Sequence, residues 1–188
     1  MKELLELAKH IKNKELREMV ENFIKKPELT NKKFKYKASK LELVPASINW
    51  HHSEDSGLIE HTKSVTKMCI AVADVIENVY NIYIDRDSLV AAAILHDMGK
   101  LWEIKRKDNT WVGSNISLDH TFLITSELYA RNFPESVIHI IASHFGTEGP
   151  TPPQTIEAFI LHYIDTLDAV VGTILQDMDI RKILSCLL

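Results

Sequence analysis

The sequence is short of several things, and each shortage narrows the class of protein. It has two cysteines, Cys69 and Cys186, far apart and with no CxxC pairing, so both are expected as reduced thiols in a cytoplasmic protein. Cys69 sits in an apolar helical run and reads as core. No apolar run is expected to reach the length of a membrane span. The N-terminal "MKELLELAKH" is charged and amphipathic, unlike a secretory signal. Positive charge is not in excess: 22 Lys and Arg stand against 26 Asp and Glu, a net charge of −4. That argues against a dedicated non-specific nucleic-acid binder but leaves a local basic patch open. There is no internal repeat, no low-complexity tract, no βαβ alternation, and no serine or cysteine nucleophile motif.

What remains is ordinary globular composition, 45% hydrophobic and 26% charged, over 188 residues. One domain with a sizeable core fits that length. Apolar residues from Leu4 to Ile24 recur at helical spacing and predict one amphipathic helix ending at Pro27. Residues 27 to 50 show no helical period. A second helix is predicted from Gly57 to Val79. A third begins near Asp87 and Ser88 and carries "LVAAAILHDMGK". "KRKDNTWVGSN" reads as a polar loop. A fourth helix covers about 117 to 132, and a fifth starts at Pro134 in "PESVIHIIASH". Thr151, Pro152 and Gln154 resemble a capping box ahead of a long sixth helix, and a short seventh closes the chain. The predicted fold is an all-α, single-domain bundle of six to seven helices. Residues 1–44 form a helix and linker, and residues 45–188 the main domain, in one compact unit.

Nine histidines are the unusual feature of the composition. His61 lies in helix two, His96 and Asp97 end helix three, His120 opens helix four, His144 ends helix five, and Asp165 interrupts helix six. Each is embedded in apolar sequence. A lone inward histidine is more often a satisfied core residue than a ligand, a His–Asp pair alone is weak, and Asp165 has an ordinary hydrogen-bonding role open to it. Several such groups buried together are costly without a shared cation. A bundle whose helices each present one inward builds a metal site in its core. Imidazole and carboxylate without thiolate suit iron, manganese, zinc, cobalt or nickel. Asp97 has two oxygens and is able to bridge two ions.

The pattern H…HD…H…H…D, with "HDMGK" at its centre, resembles the HD-domain metal-dependent phosphohydrolases. "PASINWHHSEDSGLIEHT", "AAILHDMGKLWEI", "ASHFG" and "PQTIEAFILHYIDTLDA" are similar to the HD domain of YhaM-type 3′→5′ exoribonucleases, over about residues 45 to 172. The resemblance implies that His61, His96, Asp97 and Asp165 hold a first divalent metal. It implies that Asp97 bridges to a second metal on His120 and His144. Asp97 and Lys100 would then be catalytic, with Lys100 meeting a substrate phosphate or pairing with a ligand carboxylate. Asp168 is the rival of Asp165 and is expected to support it or to lie on the helix face. His51 and His52 are expected to line the substrate pocket. His139 and His162 read as structural and His10 as surface. The sequence departs from the exoribonucleases in three places. Phe145 stands where a second histidine is common, Ser56 replaces a glycine, and a helix and short linker stand where those enzymes carry an OB-fold.

The implied function is hydrolysis of a small nucleotide-like or cyclic phosphate ester by metal-activated hydroxide, with two ions, iron or manganese foremost. Dihydroneopterin 2′,3′-cyclic phosphate suits a compact two-metal pocket. A 3′→5′ exoribonuclease acting on RNA is the alternative, and a non-catalytic metal or nucleotide sensor the third. The lysine run from Lys25 to Lys40, with "KKFKYK" at its heart, reads first as a solvated face, with stacking on bases as the other use. The apolar end "ILSCLL" leaves a homo-oligomer open.

Overall fold

The computed structural model describes residues 1–176. Seven helices of seven residues or more and one additional helical turn make up nearly all of its regular structure, consistent with the all-α expectation. The predicted short seventh helix, Cys186 and "ILSCLL" lie outside the described residues.

The predicted first helix is two. α1 (Lys2–Ala8) and α2 (Lys14–Lys25) are separated at Ile11, which stays fully buried, and Asn13 caps α2 by accepting from the Leu16 amide. The break is fixed from far away in sequence. The Asp87 carboxylate accepts from the amides of Lys12 and Asn13 at 2.7 and 2.8 Å. Both helices bury residues in the same core as the rest, with Phe23 edge-on to Trp102 at 6.3 Å.

α3 (Gly57–Tyr80) runs as expected, to within a residue. α4 (Arg86–Leu95) starts one to two residues early because Asp85 is its cap. Every residue from Ser88 to Leu95 is buried. A helix apolar on all sides belongs at the centre of a bundle, and α4 packs against α1, α2, α3 and the later helices α7 (Glu135–Ala142) and α8 (Ile156–Leu175). After it the chain turns through His96–Gly99 into the single turn α5 (Lys100–Glu103).

The predicted polar loop is a hairpin of β1 (Ile104–Lys107) and β2 (Thr110–Gly113). Asp108 and Asn109 both have positive φ, 47° and 62°, as a two-residue turn of this hand requires. α6 (His120–Ala130) is capped by Asp119, and α7 (Glu135–Ala142) follows Pro134, which stands just outside the helix. α8 (Ile156–Leu175) begins four residues after the predicted Pro152 start. Its cap is Thr155, which accepts from the Ala158 amide, and not Thr151. α8 is also long and apolar enough, at mean hydropathy 1.5, to cross a membrane by length and composition. That corrects the expectation that no run reaches such a length. Somewhat under half of its most apolar stretch is buried inside the fold.

Candidate metal centre

Six polar residues from five segments converge where α3, the end of α4, the start of α6, the end of α7 and the middle of α8 meet. His61, His96, Asp97 and His144 are all buried, while Asp165 and His120 keep a fifth or less of their side chains exposed. His61 Nε2 lies 3.3 Å from His96 Nε2, 3.0 Å from Asp165 Oδ1 and 3.4 Å from Asp97 Oδ2. Asp97 turns its other oxygen to His120, with Oδ1 3.4 Å from Nε2. Two donor sets result, each with its atoms within 4.8 Å of one another: His61, His96 and Asp165, then Asp97, His120 and His144. Asp97 stands between them.

Gly99 makes the second set possible. A Cβ at that position would lie 1.9 Å from the His120 carbonyl oxygen, so the glycine of "HDMGK" admits the first turn of α6 beside Asp97.

The imidazoles are oriented in one sense. His96 and His144 donate from Nδ1 to the backbone carbonyls of Ala93 and Ile141 at 2.9 and 2.7 Å. His61 donates from Nδ1 to Asp168 at 2.7 Å, and His120 from Nδ1 to Glu103 at 3.1 Å. With Nδ1 carrying the hydrogen, each Nε2 presents a lone pair inward, the arrangement that a second carboxylate or carbonyl imposes on metal-ligating histidines. Two such lone pairs 3.3 Å apart repel unless a cation or proton lies between them. His120 Nε2 is buried with no hydrogen-bond partner. These residues fit a metal.

The charge balance says the same. Burial favours neutral carboxyls, yet Lys100 and the surrounding histidines outweigh it and hold Asp97 well below the usual range. Asp165 is held down in the same way by His61 and His96. His61 is the counterpart: burial opposes its charge, but Asp165, Asp168 and Asp97 together push it well above the ordinary histidine value. A proton on His61 thus supplies the positive charge that the carboxylates demand. His144, by contrast, is driven down to about 4 by burial.

The remaining expected residues fall around this cluster. Lys100 donates to Asp97 Oδ2 at 2.6 Å, so it pairs with a carboxylate of the cluster. His51 is buried and His52 half-buried, with their Nδ1 atoms 3.2 Å apart and both rings against His61. These three form a further group of metal-binding spacing. Asp168 sits behind His61, and Asp165 faces the cluster. His162 supports the site by contacting the His144 carbonyl at 2.7 Å, His139 meets the Gln154 amide, and His10 is exposed. The residue that sequence reasoning missed is Glu103. Nothing in "KLWEI" marks it, because its aim onto His120 comes from the junction of α5 and β1.

The sequence matches the HD domain family over residues 58–170. The chain belongs to the HD domain family. It is 44% identical over 176 residues to the dihydroneopterin 2′,3′-cyclic phosphate phosphodiesterase of Methanocaldococcus jannaschii, across 93% of this chain and 71% of that protein. It is 36% and 38% identical to the 3′-5′ exoribonuclease YhaM of Bacillus velezensis and Bacillus subtilis, across 72% and 66% of this chain. Those matches cover only 45% and 42% of the two YhaM proteins. No solved structure matches the chain. HD-domain hydrolases depend on divalent metal, and this HD domain has His and Asp groups able to bind it. The chain is a metal-dependent phosphohydrolase.

Proposed function

We propose that this protein is a phosphodiesterase that opens a 2′,3′-cyclic phosphate ester by hydrolysis, with dihydroneopterin 2′,3′-cyclic phosphate as substrate. The observation that carries it is the set of four histidines with Nδ1 tied back and Nε2 turned onto Asp97 and Asp165. Similarity to the Methanocaldococcus enzyme over 93% of this chain supports the substrate. His61, His96 and Asp165 would hold one divalent ion and His120 and His144 the other, with Asp97 shared. Iron and manganese are the ions proposed first, and zinc, nickel and cobalt are compatible with the same donors. When bound, such ions acidify water and neutralise charge on phosphoryl oxygens.

The protein's own part is orientation. Asp168 and Glu103 fix the tautomers of His61 and His120. Lys100 holds Asp97 in place and lies close enough to the cluster for its ammonium to meet a phosphoryl oxygen. His51 and His52 flank His61 on the other side, and whichever ring accepts in their Nδ1–Nδ1 contact would offer its Nε2–H to the ester. Water adds across one P–O bond of the ring, and one hydroxyl of the diol is released.

One observation favours the exoribonuclease reading as the second. Phe34 and Tyr36 stack at 5.4 Å within the lysine run, and Phe34 is exposed, as a base-stacking surface would be. The test is hydrolysis by iron- or manganese-loaded protein of dihydroneopterin 2′,3′-cyclic phosphate and of a short single-stranded RNA, beside Asp97→Ala. Turnover of the cyclic ester alone, abolished by the substitution, is expected. Stepwise shortening of RNA with no cyclic-ester turnover would replace this reading with the second.

A further inference from the structure

Four imidazoles run ring to ring through the site, and an exposed aromatic closes each end of the row. Trp50 packs edge-on against His51 at 4.9 Å, and His51 lies 4.9 Å from His61. His61 to His96 is 5.3 Å and His96 to His144 is 5.5 Å. His144 meets Phe145 at 4.2 Å with the rings tilted by 33°, and Phe145 also lies 5.5 Å from His120. Trp50 and Phe145 are 46% and 45% exposed. The two ends are not equivalent. Phe145 touches both histidines of the second donor set, whereas His51 separates Trp50 from the first.

Phe145 takes no part in the apolar core. Its backbone is nevertheless pinned. The Gly146 amide donates to the Ser143 carbonyl at 2.8 Å, and His162 Nδ1 donates to the His144 carbonyl at 2.7 Å. Gly146 has φ +66°, and a Cβ there would strike the His162 ring at 2.4 Å, so only glycine allows this turn to sit so close to α8. A flat apolar ring is therefore held rigidly at the rim of a charged site, half in solvent. Rigid aromatic surface of this kind binds planar rings with little ordering cost.

We propose that Phe145 is the platform on which the planar heteroaromatic ring of the substrate stacks while its cyclic phosphate lies over the two donor sets. The proposal rests on the phosphodiesterase reading and adds a specificity rule: cyclic esters that carry a planar ring a few bonds from the phosphate are preferred to ringless ones. The geometry assigns the ring to the Phe145 end because that ring is in contact with His120 and His144.

The test uses the full chain with Phe145→Ala and Phe145→Trp. Dihydroneopterin binding is followed by its fluorescence. The kcat/KM ratio of dihydroneopterin 2′,3′-cyclic phosphate to glycerol 1,2-cyclic phosphate is measured beside it. The alanine variant is expected to weaken pterin binding about tenfold and to lower the ratio by a similar factor, with tryptophan restoring both. Unchanged binding and ratio in the alanine variant would overturn the proposal. So would pterin binding too weak to detect in the unsubstituted protein. An equal loss on both esters that tryptophan fails to restore would show that Phe145 only packs His144. If the unsubstituted protein binds the pterin but hydrolyses neither ester, the phosphodiesterase reading fails, and the binding comparison alone decides the role of Phe145.

Discussion

The histidines of this site divide into two groups that share a cluster but not a fixation. His61, His96, His120 and His144 each tie Nδ1 to a carboxylate or a backbone carbonyl. His51 and His52 point Nδ1 at each other across 3.2 Å, and His52 takes a left-handed backbone with φ 46°. Neither Nδ1 of this pair is tied to a carboxylate or a carbonyl, although His52 Nε2 lies 3.7 Å from Asp168 Oδ2, and so loosely held a pair suits groups that meet a changing phosphate. A tied imidazole suits a ligand. The four tied rings come from helices or their ends, whereas the free pair sits in the irregular segment before α3.

Substitutions should separate the groups. Asp97→Ala, which removes the carboxylate proposed to join the two donor sets, is expected to lower cyclic-ester turnover at least about a thousandfold and to reduce bound metal, read by kinetics and elemental analysis. Asp168→Asn and Glu103→Gln keep shape but withdraw charge from behind His61 and His120. Each is expected to cost about 10- to 100-fold in metal affinity or activity. His51→Asn and His52→Asn are expected to lower kcat/KM only about tenfold and to leave metal content unchanged. If Asp168→Asn behaves like His52→Asn, the distinction between tied and free histidines is wrong.

Acid should act on buried neutral imidazoles in either group. His144 and His51 are held by burial at about 4 and about 3, below the ordinary 6.5. The unfolded chain therefore binds protons below about pH 6.5 that the fold refuses, and stability falls as pH falls from there towards 4. Each group contributes up to about 1.4 kcal/mol per pH unit in that window. His61 has a raised value, so its contribution is complete below pH 6.5 and is lost only on the alkaline side. Urea unfolding of the metal-free protein between pH 7 and 4.5 should show the decline, and His51→Asn should flatten it.

The smallest effect lies at the start of α3. Ser56 stands at φ 72°, where glycine is unstrained, yet its Oγ donates to the Glu42 carbonyl at 2.5 Å. Relief of about 1 kcal/mol in Ser56→Gly is offset by a lost hydrogen bond of similar size. A shift in the urea midpoint equivalent to less than about 1 kcal/mol is expected.

Helix periodicity made most of the bundle legible, because buried stripes recur at fixed spacing whatever the partners are. The break between α1 and α2 was not legible. Ile11 continues the apolar period, and the break is set by Asp87, 74 residues beyond Asn13. The hairpin was hidden by its polarity: one residue of β1 is buried and none of β2. The start of α8 was misplaced because a run of threonines and prolines offers several caps. The converging residues stood out because each interrupts an apolar run. Glu103 did not, since an acid on a short helical turn looks the same whether it meets water or a histidine.

Asp97 is proposed to join two metal ions. Anomalous diffraction from crystals grown with manganese tests it most directly. Two peaks are expected, one among His61, His96 and Asp165 and one beside His120 and His144, with a carboxylate oxygen of Asp97 on each. Fully occupied manganese elsewhere on the protein and none in this cluster would contradict it.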